Sequence, residues 1–330
     1  MSGGGDDLLQ MRFHFGERDR CGDGPLEDAV MDACARRGVR AAALLRGIEG
    51  FGAKQRVRTD RLLSLSEDTP LVAVAVGAAD VIDALAGEVR EIATEGLVVL
   101  EPVGAASAVG APEDLVKVTV WGPRRGPASP HLEAVAALRR HGAESATVLM
   151  GVDGVVDGER RRARFVAGNQ GVPAMTVGVG TRAAIAAAAA EVDAAAHLVT
   201  VEAVERKSVH DRLSLHGEPR AERPAEAVRV ALVTSEVASR GAHPVYLEFI
   251  HALRREGAPG ATALRGVWGY RGEEEPHGDR VFALRRDVPV MVETVDAPDG
   301  AARWLDLALS VACKGDVVHV QSIPEAVTLL

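Results

Sequence analysis

Aromatic residues make up only 3% of this 330-residue chain. Base-stacking platforms need exposed rings, so the composition argues against single-stranded nucleic acid. Positive charge is also short: 38 Lys and Arg against 47 Asp and Glu leave a net charge of -9. A phosphate backbone calls for a basic surface, and no nucleic-acid partner is expected. Cysteine is scarce, and Cys21, Cys34 and Cys313 show neither metal-type nor redox-type spacing. They suit a reducing compartment, with Cys34 on the apolar stripe of a helix as a small hydrophobe. Long hydrophobic runs are missing too. The most apolar stretch, residues 183–190, is alanine-rich and flanked by Arg182 and Glu191, whereas a bilayer span needs about 20 apolar residues. With no secretory signal in the polar opening, the expectation is a cytoplasmic protein that does not insert into a membrane.

Catalytic signatures are absent as well. None of the ten histidines stands in a His-x-x-x-His pattern, and no Gly-x-Ser-x-Gly, Walker-type or paired-carboxylate motif occurs. Without a nucleophile beside a base, a non-enzymatic protein without a metal site is expected.

What the chain does contain is one 13-residue frame, three times over. Gly38, Gly47 and Gly50 recur as Gly142, Gly151 and Gly154, and again as Gly257, Gly266 and Gly269, with Ala42, Ala146 and Ala261 in register. Pro25, Pro130 and Pro244 precede each frame, and Pro70, Pro173 and Pro289 follow it. A period of roughly 90–100 residues is the size of a small domain, so each repeat reads as a whole fold. The expected repeats are 10–104, 115–204 and 228–330. A short linker at 105–114 and a charged one at 205–227 join them, after a disordered 1–9.

Within the first repeat, Met11, Phe13 and Phe15 alternate with Arg12 and His14, which predicts a half-buried strand whose polar side meets solvent. Pro25 opens a helix whose apolar face carries Leu26, Val30 and Cys34, and Gly38 ends it. Strands over 41–46 and 71–76, a second helix through Val81 and Ile92, and a strand over 97–101 complete the order β-α-β-β-α-β. The other two repeats follow the same order. This is the ferredoxin-like pattern, with both helices on one face of an antiparallel sheet. The strands are apolar on their other face too, which must also be buried. The predicted architecture is α+β: three tandem ferredoxin-like domains packing their sheets against one another as a single-chain, monomeric pseudo-trimer.

The glycine-rich loop of the first repeat carries basic residues. Gly47, Gly50 and Gly52 let backbone N–H groups approach an anion, and Lys54, Arg56 and Arg58 add charge. A solvated loop with glycines in tight turns is the plainer alternative. Arg160, Arg161, Arg162 and Arg164 form the densest basic run, read as a solvated face or as a site for an anion or an acidic partner, while Glu273, Glu274 and Glu275 make the third loop acidic.

The first repeat resembles an uncharacterised PII-like family, domain of unknown function 190 (UPF0166), which is related in fold to PII signalling proteins and CutA. The resemblance rests on Gly16-Glu17, Asp19, Pro25-Leu26 and the run Arg46-Gly47-Ile48-Glu49-Gly50-Phe51-Gly52. Gly50-Phe51-Gly52 also matches the Gly-Phe-Gly that opens the long T-loop of PII proteins, where it lines a nucleotide site between neighbouring subunits. The resemblance implies a regulatory protein that binds a small anion, with an adenine nucleotide as candidate ligand, at an inter-domain cleft and signals to a protein partner. The implied ligand-binding residues are Gly47, Gly50, Phe51, Gly52, Lys54, Gln55, Arg56 and Arg58. Where PII proteins continue with Arg and Gln, this chain has Ala53 and Lys54, then Gln55. The second and third repeats replace the motif with Gly154-Val155-Val156 and Gly269-Tyr270-Arg271. That divergence supports the rival expectation, an interaction or scaffold protein with decayed ligand sites.

Overall fold

Strands form where the frame is richest in alanine, valine and leucine, and they pair beyond their own repeat. A computed structural model of the chain describes residues 8–55, 57–59, 68–104, 111–125, 130–156, 158–164, 169–192, 198–206, 226–278 and 287–329. The first repeat contains β1 (Leu8–Gly16), α1 (Leu26–Arg37), β2 (Ala41–Arg46), β3 (Glu49–Phe51), β4 (Pro70–Ala78), α2 (Ala79–Ile92) and β5 (Gly96–Val103). The second has β6 (Leu115–Pro123), α3 (Pro130–Arg140), β7 (Ser145–Val156), β8 (Pro173–Thr181), α4 (Arg182–Glu191), β9 (Leu198–Ala203) and β10 (Glu205–Arg206). The third has β11 (Ala227–Ser235), α5 (Val245–Arg255), β12 (Ala261–Arg265), β13 (Trp268–Arg271), β14 (Pro289–Asp296), α6 (Pro298–Val311), β15 (Val317–Ile323) and β16 (Glu325–Leu329). No helix of the described residues is long and apolar enough to cross a membrane.

The first strand begins at Leu8 because Leu8 pairs with both Ala78 and Val103. Of the expected linker 205–227, Glu205 and Arg206 pair with β15 and Ala227 opens β11, while 207–225 lie outside the described residues. In the first repeat the hydrogen-bonded order is β5-β1-β4-β2, all antiparallel, and the other two repeat it. The result is a mixed α/β architecture of three tandem regions whose curled sheets interleave.

The interleaving comes from the segment that the sequence pattern presents as a glycine-rich loop. That segment is extended backbone which crosses to another repeat. β3 pairs with β12 of the third repeat, the end of β7 pairs with β2 of the first, and β13 pairs with the start of β7 in the second. The exchange is cyclic. Gly50, Gly154 and Gly269 fall opposite Thr262, Ala43 and Thr147, the same position of the frame each time. A Cβ on Gly50 would lie 2.6 Å from the Ala261 carbonyl oxygen, and Gly154 and Gly269 press on Ala42 and Ala146 in the same way. Here the glycines permit close approach of two backbones. The recurring prolines complete the joint, since Pro70, Pro173 and Pro289 pack against these same glycines.

The residue after each of these glycines is an anchor. Phe51 sits in the apolar core of the third repeat, Val155 in that of the first, and Tyr270 in that of the second. Tyr270 donates its hydroxyl to the Ala143 carbonyl at 3.1 Å, so its polar end is satisfied. A second exchange runs the other way round the ring. β16 covers β5, β10 covers β15, and Gly104 bridges to Val201 of β9. Sheet edges that would otherwise template aggregation are thereby paired.

The faces turned away from the helices meet at the centre, in one apolar cluster drawn from all three repeats, including Leu45, Val74, Trp121, Met175, Leu264 and Met291. This corrects the half-buried reading of β1. Its polar side faces the middle of the molecule, and Arg12 is only 2% exposed. A layer of charge lies there. Arg12 meets Glu293 at 2.6 Å, Arg229 donates to Glu101, and Lys117 pairs with Glu202. Gln321 ties the layer together, accepting from Lys117 and Arg229 and donating to Glu101 at 2.7 Å. The three cations and three anions balance, which offsets the large cost of burying isolated charges. Burial by itself would raise the carboxyls, but Arg229 and Lys117 hold Glu101 at about 2, and Arg12 and Arg229 hold Glu293 at about 2. Burial, helped by Arg12, pushes His14 down to about 3; burial and Lys117 do the same to His319.

Two predictions follow from this packing. Gly154→Ala should destabilise the chain by about 2 kcal/mol, as overpacking does, whereas Gly52→Ala, with no atom within 4 Å of the added Cβ, should change stability by less than about 0.5 kcal/mol. Urea unfolding of both variants checks this, and equal losses would contradict the joint. Second, His14 and His319 fall from an ordinary 6.5 to about 3, so they remain neutral in the fold while the unfolded chain takes up protons. Their contribution is complete above pH 6.5 and is lost as pH drops towards 3, by up to about 1.4 kcal/mol per pH unit for each ring. His319→Asn should flatten the stability slope between these limits; an unchanged slope would exclude His319 as its source.

Candidate functional site

At the junction of the first and third repeats the chain leaves a cleft of about 270 Å³. One wall is the turn that follows β3, with Phe51, Gly52 and Lys54, together with His14 and Phe15 from the end of β1 and Glu95 ahead of β5. The other wall is Pro259–Thr262 at the start of β12 and Glu293–Ala297 at the end of β14. β16 closes one side with Ala326, Thr328 and Leu329. The cyclic strand exchange creates this cleft, because β3 must leave its own repeat to reach β12.

The implied ligand residues separate into groups. Phe51, Gly52 and Lys54 line the cleft. Gly47 and Gly50 lie beneath it, pressed between Pro70 and the β12 backbone. Gln55 is tied to the third repeat: its side-chain amide donates to the Ala258 carbonyl at 2.7 Å, and its own carbonyl accepts from Arg254 at 2.9 Å. Arg56 lies outside the described residues, and Arg58 is placed through its backbone, opposite Gly50. Reasoning from sequence missed His14, Glu95, Glu293 and the whole third-repeat wall. Which repeat faces which is a property of the ring, and no motif carries it.

The electrostatics differ between floor and mouth. Glu293 at the floor is neutralised by Arg12, and His14 beside it is held neutral. Asp296 accepts from Trp304 Nε1 at 2.8 Å and from the Ala297 amide at 2.7 Å. At the mouth, Lys54 is 59% exposed along its side chain and pairs with Glu95. The cleft therefore offers a largely apolar interior whose floor carboxylate Glu293 is compensated by Arg12, with the exposed Lys54 at the rim and Asp19, Glu95, Glu226 and Asp296 also in the lining.

The other two junctions are bridged on their helix side by the chain's own side chains. Arg160 reaches Asp28 at 2.7 Å and Asp32 at 2.6 Å on α1, as well as Asp153, while Arg162 joins Glu27 and Asp28. These two members of the basic run are structural clamps between the second and first repeats. At the third junction Arg139 lies over the Tyr270 ring, 5.4 Å from its centroid, and donates to the Glu273 carbonyl. The described residues hold no group of three His, Cys, Asp or Glu arranged to bind a metal ion. Cys34 is buried, which pushes its thiol up to about 12, so it is packed as a small hydrophobe.

Comparison with known proteins agrees with the triplication. The family model DUF190, described as an uncharacterized ACR, matches residues 8–105, 125–206 and 227–323. A UPF0166 protein of Aquifex aeolicus (strain VF5) is 32% identical over 75 residues, covering 71% of that protein but 23% of this chain. The relative is thus about one repeat long. With most of its length matched in three successive segments, this chain belongs to the DUF190 (UPF0166) family and carries its domain three times in tandem.

Proposed function

We propose that the chain is a PII-like regulatory protein. Its three repeats act as ferredoxin-like domains closed into a single-chain pseudo-trimer, and the cleft between the first and third binds a small anionic ligand. The observation that carries this reading is the cleft itself, where Phe51, Gly52 and Lys54 face another repeat across about 270 Å³. The apolar interior suits the body of an organic molecule, and its anionic end meets Lys54 at the rim, displacing Glu95. An adenine nucleotide is the first ligand to test, and occupancy would be reported to a protein partner through the neighbouring surface. The rival reading, a scaffold whose ligand sites have decayed, draws on the use of Gly47 and Gly50 for packing and on Arg160 and Arg162 as clamps.

Calorimetry with ATP, ADP and AMP tests the proposal. At the cleft one equivalent per chain is expected, read most directly with AMP and its single phosphate, and Lys54→Glu should weaken that binding by more than about tenfold, or roughly 1.4 kcal/mol. Three equal sites, or indifference to Lys54, would defeat the assignment, and no binding by any nucleotide would favour the scaffold. Light scattering should give the mass of one chain, since the exchanged strands satisfy each other within it; a stable trimer of chains would contradict the closed ring.

A further inference from the structure

We propose that the second repeat carries a separate anion site, an arginine-lined basin that takes a small ligand bearing two or more phosphate groups. The chain leaves β7, pairs briefly back on it through Glu159 and Arg160, and then presents Arg161, Arg162 and Arg164 along an open basin of about 780 Å³. Asn169 and Gln170 form the facing rim.

The arginines of this basin divide into two sets. Arg160 and Arg162 are committed to the carboxylates of α1 and to Asp153, which fixes the base of the basin to the first repeat. Arg161 and Arg164 are exposed, and so are Arg124 and Arg125 at the end of β6. Arg161 and Arg164 line the basin, and the end of β6 is tied beside it through the backbone of Arg124. Asn169 accepts from the Arg164 amide at 2.7 Å, Gly171 donates to the Arg124 carbonyl at 2.9 Å, and the Arg124 amide donates to Val172 at 2.8 Å. Among the described residues, carboxylate pairing reaches this exposed set only at Arg161, through Glu159 of its own turn.

The exposed guanidinium groups of Arg161 and Arg164 share one basin with those of Arg160 and Arg162, and a multivalent anion can bridge them. Arginine presents planar forks that match phosphate oxygens, and the side-chain amides of Asn169 and Gln170 add neutral donors. The charge is spread over several side chains, so one phosphate engages only part of it and a chain of phosphates engages more. Glu159 competes with the ligand for Arg161.

Calorimetry of the full chain with inorganic tripolyphosphate provides the test. One site is expected, weakening as salt rises because the groups are exposed. Arg161→Glu combined with Arg164→Glu should weaken binding at least tenfold, Glu159→Gln should tighten it, and Lys54→Glu should leave it unchanged. Thermal unfolding of the double variant should match the parent. If that variant fails to fold, Arg161→Ser with Arg164→Ser applies the same test with a smaller change of charge. Absence of binding, or binding indifferent to these arginines, would overturn the proposal. Loss with Lys54→Glu would place the phosphate in the cleft instead and overturn it equally.

Discussion

Close approach of two backbones at three joints is the constraint on which this structure rests. Each repeat sends the end of its second strand into another repeat, and the crossing brings a carbonyl within reach of where a side chain would begin. Only glycine meets that condition without displacement, and a proline at the start of the next-paired strand fills the space beside it. The anchor that follows, Phe51, Val155 or Tyr270, then completes a core that belongs to another part of the chain. Each helix-covered core thus contains a residue donated by a neighbour, so the three regions stabilise one another.

Closing the ring places the three sheets face to face, and their inward strands carry charge as well as apolar side chains. The central layer is tolerable because its cations and anions are equal in number and Gln321 bridges pairs from different repeats. Arg12 with Glu293, and Arg229 with Glu101, each join the first repeat to the third. Removing one partner would leave a buried charge uncompensated, a far larger loss than removing a surface pair. Buried ionic groups that match only one arrangement also resist alternative registers of the repeats.

The joints share a backbone and differ in side chains. Between the second and first repeats Arg160 and Arg162 reach the carboxylates of α1. Between the third and second, Tyr270 and Arg139 pack together. Between the first and third, the small residues Gly52 and Ala53 leave a cleft open. Triplication within one chain permits this, because each copy varies alone, whereas three identical subunits would repeat every change at each joint. A cleft at one joint and a basic basin beside another are the outcome.

Much of the fold was legible in the sequence. The frame marked the repeats, and alternating or continuous apolar runs located the strands and helices of each, with 41–46 and 261–265 recovered to the residue. The apolar second face of each sheet implied mutual packing. Three features were not legible. Gly50-Phe51-Gly52 has the composition of a loop, yet Gly50 and Phe51 belong to a strand, because its pairing partner lies some 210 residues further along the chain. Arg12 has the alternation of a solvent-facing side, yet it is buried at the centre, because its partner Glu293 comes from another repeat, and His14 on the same side lines the cleft. The cleft draws on residues from the first repeat, including Lys54, and on Glu293 and Asp296 from the third, a pairing set by the direction of the ring. Local pattern and propensity fixed each repeat through contacts near in sequence. The joints, the charge layer and the cleft arise from contacts between repeats, which only the closed tertiary structure brings together.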